Sequence, residues 1–445
     1  MRLKEMVFVL IVALFLLPLV AAGDQERTTL VTPPWNHCLG LHKVTQFHLD
    51  VYSGYGERFE DPQGLFCVKL EQKDDRSTNR DDDELTVYGL NRGKHKLIYN
   101  KSLTSIGIVG GEGSDLGSFK DPRSVTGDEM GNLYIADTGN HRIVHMRYTE
   151  DDDLVAMKEF KGADDALIGP TGVSLSGGKL YVADSGNNRI AVFDTAGTLH
   201  ESLRPIMEEE RLRGPLSIAA VMKGDDWLYY NEFFIAVIDS LGKRLWKISP
   251  EGEVLAIARP NSSSSTFGHV AIDYYGNIYV TDQSGGCIHK YTRHLDYIAA
   301  FGKMRQFDEP RGITINRRFG QVFVSERAGA QYYWIGTDIM RFAAENCTID
   351  NAEKRISVDI SFLLTEHSTI SIYIEDEYGE RLHTFVDGYL LPAGVFSRRL
   401  EKACDNTELI VNKNVRTVVV ARPTYSSRTF LTITRKSPPS RPHSK

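Results

Sequence analysis

The stretch "GNLYIADTGNHRI" (131–143) returns almost unchanged as "GKLYVADSGNNRI" (178–190). Each copy joins a short apolar strand to a polar turn and then to a second strand that opens on Arg-Ile. Self-similarity at a fixed period constrains a fold more than any composition does. Each unit must be a small module that cannot bury its apolar face alone and therefore stacks on its neighbours.

A Pro-equivalent position stands about 15 residues before the Asp of each copy, and following it outward uncovers further units. Six openings are readable: "FEDPQGLFCV" (59–68), "FKDPRSVTGD" (119–128), "IGPTGVSL" (168–175), "RGPLSIAAV" (213–221), "FGHVAID" (267–273) and "FDEPRGITI" (307–315). A second short strand follows each, in order "ELTVYGL", "NLYIADT", "KLYVADS", "WLYYNEF", "NIYVTDQ" and "QVFVSER". Third strands such as "RIVHMRY", "RIAVFDT" and "CIHKYTR" come next, and the units are spaced by about 40 to 60 residues. Short alternating strands at this period predict a propeller of four-stranded blades, and six openings predict six blades.

The last unit lacks a fourth strand, whereas "FHLDVYSGYGERFEDP" (47–62) looks like a fourth strand with no blade before it. The expectation is that a strand over residues 45–51 completes the last blade, closing the ring and removing its exposed edges. The propeller then spans 45–342. The stretches "PRSVTGDEMGNLYIADTGNHRIVHM" and "PTGVSLSGGKLYVADSGNNRIAVFD" resemble NHL repeats. That resemblance is strongest in the second and third units and weakest in the first, which carries the acidic insertion "DDRSTNRDDDE", and the fourth, which reads "YYNEFFIAVID".

The N-terminus, "MRLKEMVFVLIVALFLLPLVAAGDQ", has basic residues, an apolar run over 6–20 and then small residues. That order predicts a secretory signal peptide over 1–22, cleaved after Ala22, and an N-terminal extension over 23–44. The run is shorter than the roughly 20 residues of a bilayer span. The expected mature chain is secreted, extracellular or at the cell surface, with no transmembrane segment. Of the five cysteines, Cys38, Cys67, Cys287, Cys347 and Cys404, none forms a CxxC pair, so the spacing lends no support to a thiolate zinc site. An oxidising compartment would allow Cys347 to pair with Cys404.

After residue 345 the repeat stops. Period-two strands in "ISVDISFLLTEHSTISIYIEDEYGERLHTFVDGYLLPAGVFSRRL", with "VRTVVVARP" and "RTFLTITRK", predict a small β-sandwich over 345–436 and a polar basic tail over 437–445. The segment "STISIYIEDEYGERLHTFVDGYLLPAG" resembles the immunoglobulin-like domain of flagellar hook-capping proteins and of related C-terminal domains on secreted bacterial proteins. The whole chain is thus expected to be all-β, a six-bladed β-propeller followed by an Ig-like β-sandwich.

In such a ring the first strand of each blade lines a central channel. Residues just after the Pro-equivalent position should face its rim: Gln63, Arg123, Thr171 and Arg311, with His269 one step further in. Arginine presents a planar fork of donors suited to anionic or sugar groups. The expected function is recognition or scaffolding of an extracellular protein, peptide or glycan, with no catalytic residues and no cofactor evident. Six-bladed lyases and lactonases with similar rings hold a metal in the channel. That alternative, with Ca²⁺ or Zn²⁺, meets only one inner-strand histidine here, His269, and one imidazole does not make a metal site. Asp137, Asp184, Asp282 and Glu326 recur at one repeat position, as a structural role requires. A net charge of −7 argues against nucleic acid as partner.

Overall fold

The computed structural model describes residues 30–31, 43–54, 56–74, 85–102, 105–151, 153–162, 165–240, 242–302, 306–405, 407–425 and 431–444. The expected signal peptide, Cys38 and most of the acidic insertion lie outside the described residues. Among the described residues no helix is long and apolar enough to cross a membrane.

Five four-stranded antiparallel sheets and a sixth completed from elsewhere in the chain form the ring. Blade 1 runs Pro62–Val68, Thr86–Asn91, Lys96–Ser102 and Ser105–Gly110. Blade 2 runs Pro122–Gly127, Asn132–Asp137, Arg142–Tyr148 and Leu154–Phe160, and blade 3 Pro170–Ser176, Lys179–Asp184, Arg189–Asp194 and Leu199–Leu203. Blade 4 comprises Ser217–Val221, Phe234–Ile238, Leu245–Ile248 and Val254–Ala258, and blade 5 Phe267–Ile272, Ile278–Asp282, Cys287–Tyr291 and Tyr297–Phe301. In blade 4 the second strand is therefore Phe234–Ile238 and not the expected "WLYYNEF". The continuous apolar run "FIAVI" is buried and pairs in register with Ser217–Val221, while the tyrosines before it form a loop that reaches the second domain.

Blade 6 has Ile313–Asn316, Gln321–Glu326 and Gly329–Ile335, and two short N-terminal strands share the outer edge of the last. Lys43–Thr45 pairs with Gly329–Gln331, and Leu30–Val31 pairs with Trp334–Ile335. The strand expected over 45–51 is instead a helix, Gln46–Ser53. Its alternating Phe47, Leu49 and Val51 mimic a strand, but only Leu49 is buried, and Phe47 and Val51 stand 69% and 60% exposed. Thr45 caps the helix in a reciprocal contact with His48, which satisfies backbone donors that a helix start leaves open. The extension expected to lie outside the ring thus contributes strands to it.

Apolar residues from each pair of adjacent blades form one cluster, six in all, and the last joins Phe323, Tyr332 and Trp334 of blade 6 to Cys67 and Leu85 at blade 1. Hydroxyls on the inner strands add a second tie. Ser124, Ser174 and Ser217 each accept a hydrogen bond from a backbone N–H of the next blade, at Val173, Ala220 and Val270. Inner strands approach closely where the channel narrows. A Cβ on Gly312 would fall 2.2 Å from the Gln63 carbonyl oxygen, so no larger residue fits there.

The repeat turn has a clear local cause. The residue before the third strand is left-handed in blades 1, 2 and 3 (His95, His141, Asn188), a conformation that Asn and His tolerate better than most side chains. The Asp at the end of the second strand then accepts, through Oδ1, the backbone N–H of the loop that opens its own blade: Lys120 for Asp137 and Ile168 for Asp184. Five residues on, Arg142, Arg189 and Arg244 donate through Nε to Asp137, Asp184 and Asp239. These acids knit the blades, in line with a structural role.

The second domain has two four-stranded sheets. One orders Gly394–Ala403, Arg355–Leu364, Ile339–Asp350 and His443–Ser444; the other Arg381–Leu391, Ser368–Asp376, Val415–Pro423 and Ile433–Lys436. Their inward faces share one core that includes Ile356, Val358, Ile360, Ile370, Ile372, Val419 and Ile433, which makes the domain a β-sandwich. The sandwich starts at Ile339, earlier than expected, and the basic tail is no free extension, since His443–Ser444 pairs with the first strand. Cys347 and Cys404 are not bonded to each other; both sit in the core as thiols. Cys347 lies on the strand to one side of Arg355–Leu364 and Cys404 directly follows the strand on the other side, so at least two strand spacings, roughly 10 Å or more, separate them. A disulfide needs Cα atoms within about 7 Å.

Candidate functional site

The channel mouth is a cavity of about 260 Å³ bounded by Asp61, Gln63, Arg92, Arg123, Thr171, Leu216, His269, Gln283 and Arg311, among others. All five residues singled out from the sequence line it. Each comes from a different blade: Gln63, Arg123, Thr171 and Arg311 directly follow the opening proline of theirs, and His269 sits one residue further along in blade 5. Arg92 and Gln283 were not foreseen. They belong to the turns after second strands, and only the ring geometry swings those turns over the channel.

The arginines are held by carboxylates. Arg92 donates to Asp61 (2.5 Å) and to Asp121. Arg123 makes two bonds to Asp121 Oδ2, at 3.1 and 3.0 Å. Arg311 pairs with Asp61 and with Glu309 at 3.1 Å. Asp61, Asp121 and Glu309 are the residues before the opening prolines, and all three have positive φ, 51°, 53° and 53°. Blades 3 and 4 place Gly169 and Gly214 there with similar φ. A carboxylate kept where glycine is the comfortable choice carries backbone strain that the surrounding structure must hold. Here the strained residues are the ones that aim the mouth arginines.

The polar network is closed. Gln63 donates to Asp61 (2.9 Å) and its Oε1 lies 3.4 Å from His269 Nε2. Thr171 donates to the Pro215 carbonyl at 2.7 Å, and Thr281 bridges the His269 amide to the Arg311 carbonyl. Burial, reinforced by Arg123, pushes the His269 imidazole down to about 4, so the ring is neutral near pH 7. Burial raises the Asp121 pKa, but Arg92 and Arg123 outweigh it and hold the carboxyl below its ordinary value. With its guanidinium groups each matched by a carboxylate, the mouth is dense in directional donors and acceptors without strong net charge. Beyond it the channel widens to about 580 Å³ along the inner strands. Among the described residues, the one group of three side chains arranged to ligate a metal lies off the channel lining, on the second and third strands of blade 5.

The NHL repeat model matches the chain over residues 119–146 and 167–193. No curated protein matches it. Solved structures with a similar chain course include streptogramin B lyase, 15% identical over 62% of this chain and 96% of that one, with a TM-score of 0.43. Selenomethionine-substituted virginiamycin B lyase from Staphylococcus aureus is 13% identical over 65% of this chain and 97% of its own, TM-score 0.43. A gluconolactonase candidate is 12% identical over 66% and 96%, TM-score 0.43. The chain is an all-β protein that carries NHL repeats in a six-bladed propeller, followed by a β-sandwich.

Proposed function

We propose that the chain is a secreted recognition or scaffold module whose propeller mouth takes a hydroxyl- or amide-rich group of an extracellular glycan or peptide. One observation carries this reading: Gln63, Arg123, Thr171, His269 and Arg311, from five blades, meet in a single small polar cavity. Paired guanidiniums present fixed forks of donors, neutral His269 and Gln63 add acceptors, and the charge balance favours a neutral polar partner over a polyanion. In this reading the sandwich is an immunoglobulin-like spacer or anchor of the kind found on secreted bacterial proteins.

The test is a glycan and peptide array probed with the parent and with Arg123→Ala/Arg311→Ala. Binding by the parent that falls about tenfold or more in the double variant, with an unchanged melting temperature, supports the site. Undiminished binding by the variant moves recognition away from the mouth.

A further inference from the structure

In blades 2 and 3 the second carboxylate oxygen of the repeat Asp is saturated. Asp137 Oδ2 accepts from Asn140 (2.8 Å) and Arg142 (2.8 Å). Asp184 Oδ2 accepts from Asn187 (2.8 Å) and Arg189 (2.7 Å). Blade 5 keeps half of this arrangement. Asp282 Oδ1 still accepts the N–H groups of Thr266 and Gly285, both at 2.9 Å. The two side-chain partners are gone: Gly285 stands at the Asn position and Cys287 at the Arg position, paired across the ladder with Asp282 as Arg189 is with Asp184. His289 stands where blades 2 and 3 have Val144 and Ala191.

The replacement side chains converge. His289 Nε2 is 3.1 Å from Asp282 Oδ2 and 3.7 Å from Cys287 Sγ, and the three ligating atoms lie within 4.8 Å of one another. Both contacts use the same ring nitrogen, while Nδ1 is buried with no hydrogen-bond partner. A proton relay from thiol to carboxylate needs the two groups on opposite nitrogens, so the trio is not a nucleophile set. It is a cluster around one point. The deleted guanidinium also leaves the carboxylate without the full positive charge that the other blades supply.

We infer that Asp282, Cys287 and His289 bind one Zn²⁺ in place of the missing guanidinium. An O, N and S ligand set suits that borderline-soft ion, whose coordination is tetrahedral. Contacts of 3.1 and 3.7 Å are close to the edges of such a tetrahedron, and three protein ligands leave a fourth position for water. The ion has a short way in, since the three ligands are buried directly beneath the exposed Ser284–Gly285 turn. The site lies behind the channel wall and is independent of the mouth.

The experiment strips the full chain with a chelator and titrates it with Co²⁺ and then Zn²⁺. One Co²⁺ per chain is expected, with the visible absorption of a four-coordinate ion and a near-ultraviolet thiolate charge-transfer band, both bleached by Zn²⁺. Cys287→Ser should abolish the thiolate band and weaken Co²⁺ about tenfold or more. Cys287→Arg/His289→Ala rebuilds the blade 3 arrangement and should fold without metal, melt at or above the stripped parent and bind no Co²⁺. A parent that gives no Co²⁺ spectrum overturns the inference. So does a thiolate band that survives in both Cys287 variants, because it would belong to another cysteine.

Discussion

Arg189 and Asp184 are both fully buried, and their bond ties the start of the third strand of blade 3 to the end of the second. Asp184→Ala removes the fully buried partner of Arg189 and leaves it only the more exposed Asp165, so it should cost about 3 kcal/mol in urea unfolding, the low end for breaking a buried pair. Asp282→Ala in metal-free protein should cost less, because no guanidinium is left behind; equal losses would show that the carboxylates act only through their backbone bonds. Titration gives a second residue-scale prediction. His269 is pushed down to about 4, and His367 to about 3 by burial and by the charges of Lys290 and Arg293. Unfolded imidazoles bind protons near pH 6.5 while these stay neutral, so stability falls as pH drops from about 6.5 to about 4. Asp273 works the other way. Burial and the neighbouring Glu366 raise it to about 7, so its contribution is present at low pH and lost as pH rises from about 4 to about 7. Asp273→Asn removes that counterweight, and the urea midpoint should then fall more between pH 7 and pH 5 than in the parent; an identical fall would refute the role assigned to Asp273. The mouth residues were legible because counting from the opening of each blade places Gln63, Arg123, Thr171 and Arg311 in one register and His269 in the next position along. Cys287 and His289 were not, since a search for paired cysteines passes over a thiol at the repeat's arginine position. The signal was the departure itself, and it acquires meaning only when the strand register shows what the arginine does elsewhere.

At the scale of elements, the strands that follow a buried alternation were readable, and the errors share a cause. Residues 46–53 alternate like a strand yet form a helix, because no sheet edge is left for them once Lys43–Thr45 and Leu30–Val31 have taken the edge of Gly329–Ile335. In blade 4, aromatic residues with high strand preference form a loop because their partners lie outside the blade: Arg318 stacks over Trp227, Tyr229 packs on Tyr274 and Tyr275 of blade 5, and Tyr230 reaches His367 of the second domain. There Tyr230 donates to or accepts from His367 at 2.8 Å, and Tyr275 stacks on the same ring at 3.9 Å. Preference for a strand describes fit to a half-buried surface, and which surface is offered is a tertiary matter. Deleting residues 30–45 should expose the edge of blade 6 and lower the melting temperature by several degrees or more. A melting curve that did not move would mean that the ring closes through blade-to-blade packing alone.

At the scale of the molecule, the propeller and sandwich meet through a buried polar core. Lys290 of blade 5 and Glu366 of the sandwich are both fully buried and paired, and Tyr279 and Asn277 donate to the same carboxylate at 3.1 and 3.3 Å. Glu366→Ala removes the carboxylate paired with buried Lys290, with only Asp273 left nearby, and should destabilise the protein by about 3 kcal/mol. Calorimetry should then show two transitions where the parent shows one; a single transition in the variant would mean that apolar contacts hold the domains together. The sequence by itself determined the number of blades, the β-sandwich after them and the placement of the mouth residues at the blade openings, because each is carried by a local period repeated along the chain. The tertiary structure alone decided which N-terminal residues close the ring, which tyrosines leave their blade for the second domain, how Lys290 finds Glu366 and that three side chains of blade 5 face one point. Those outcomes depend on contacts between residues far apart in the chain or on the direction of side chains across a strand pair, and no local period encodes either.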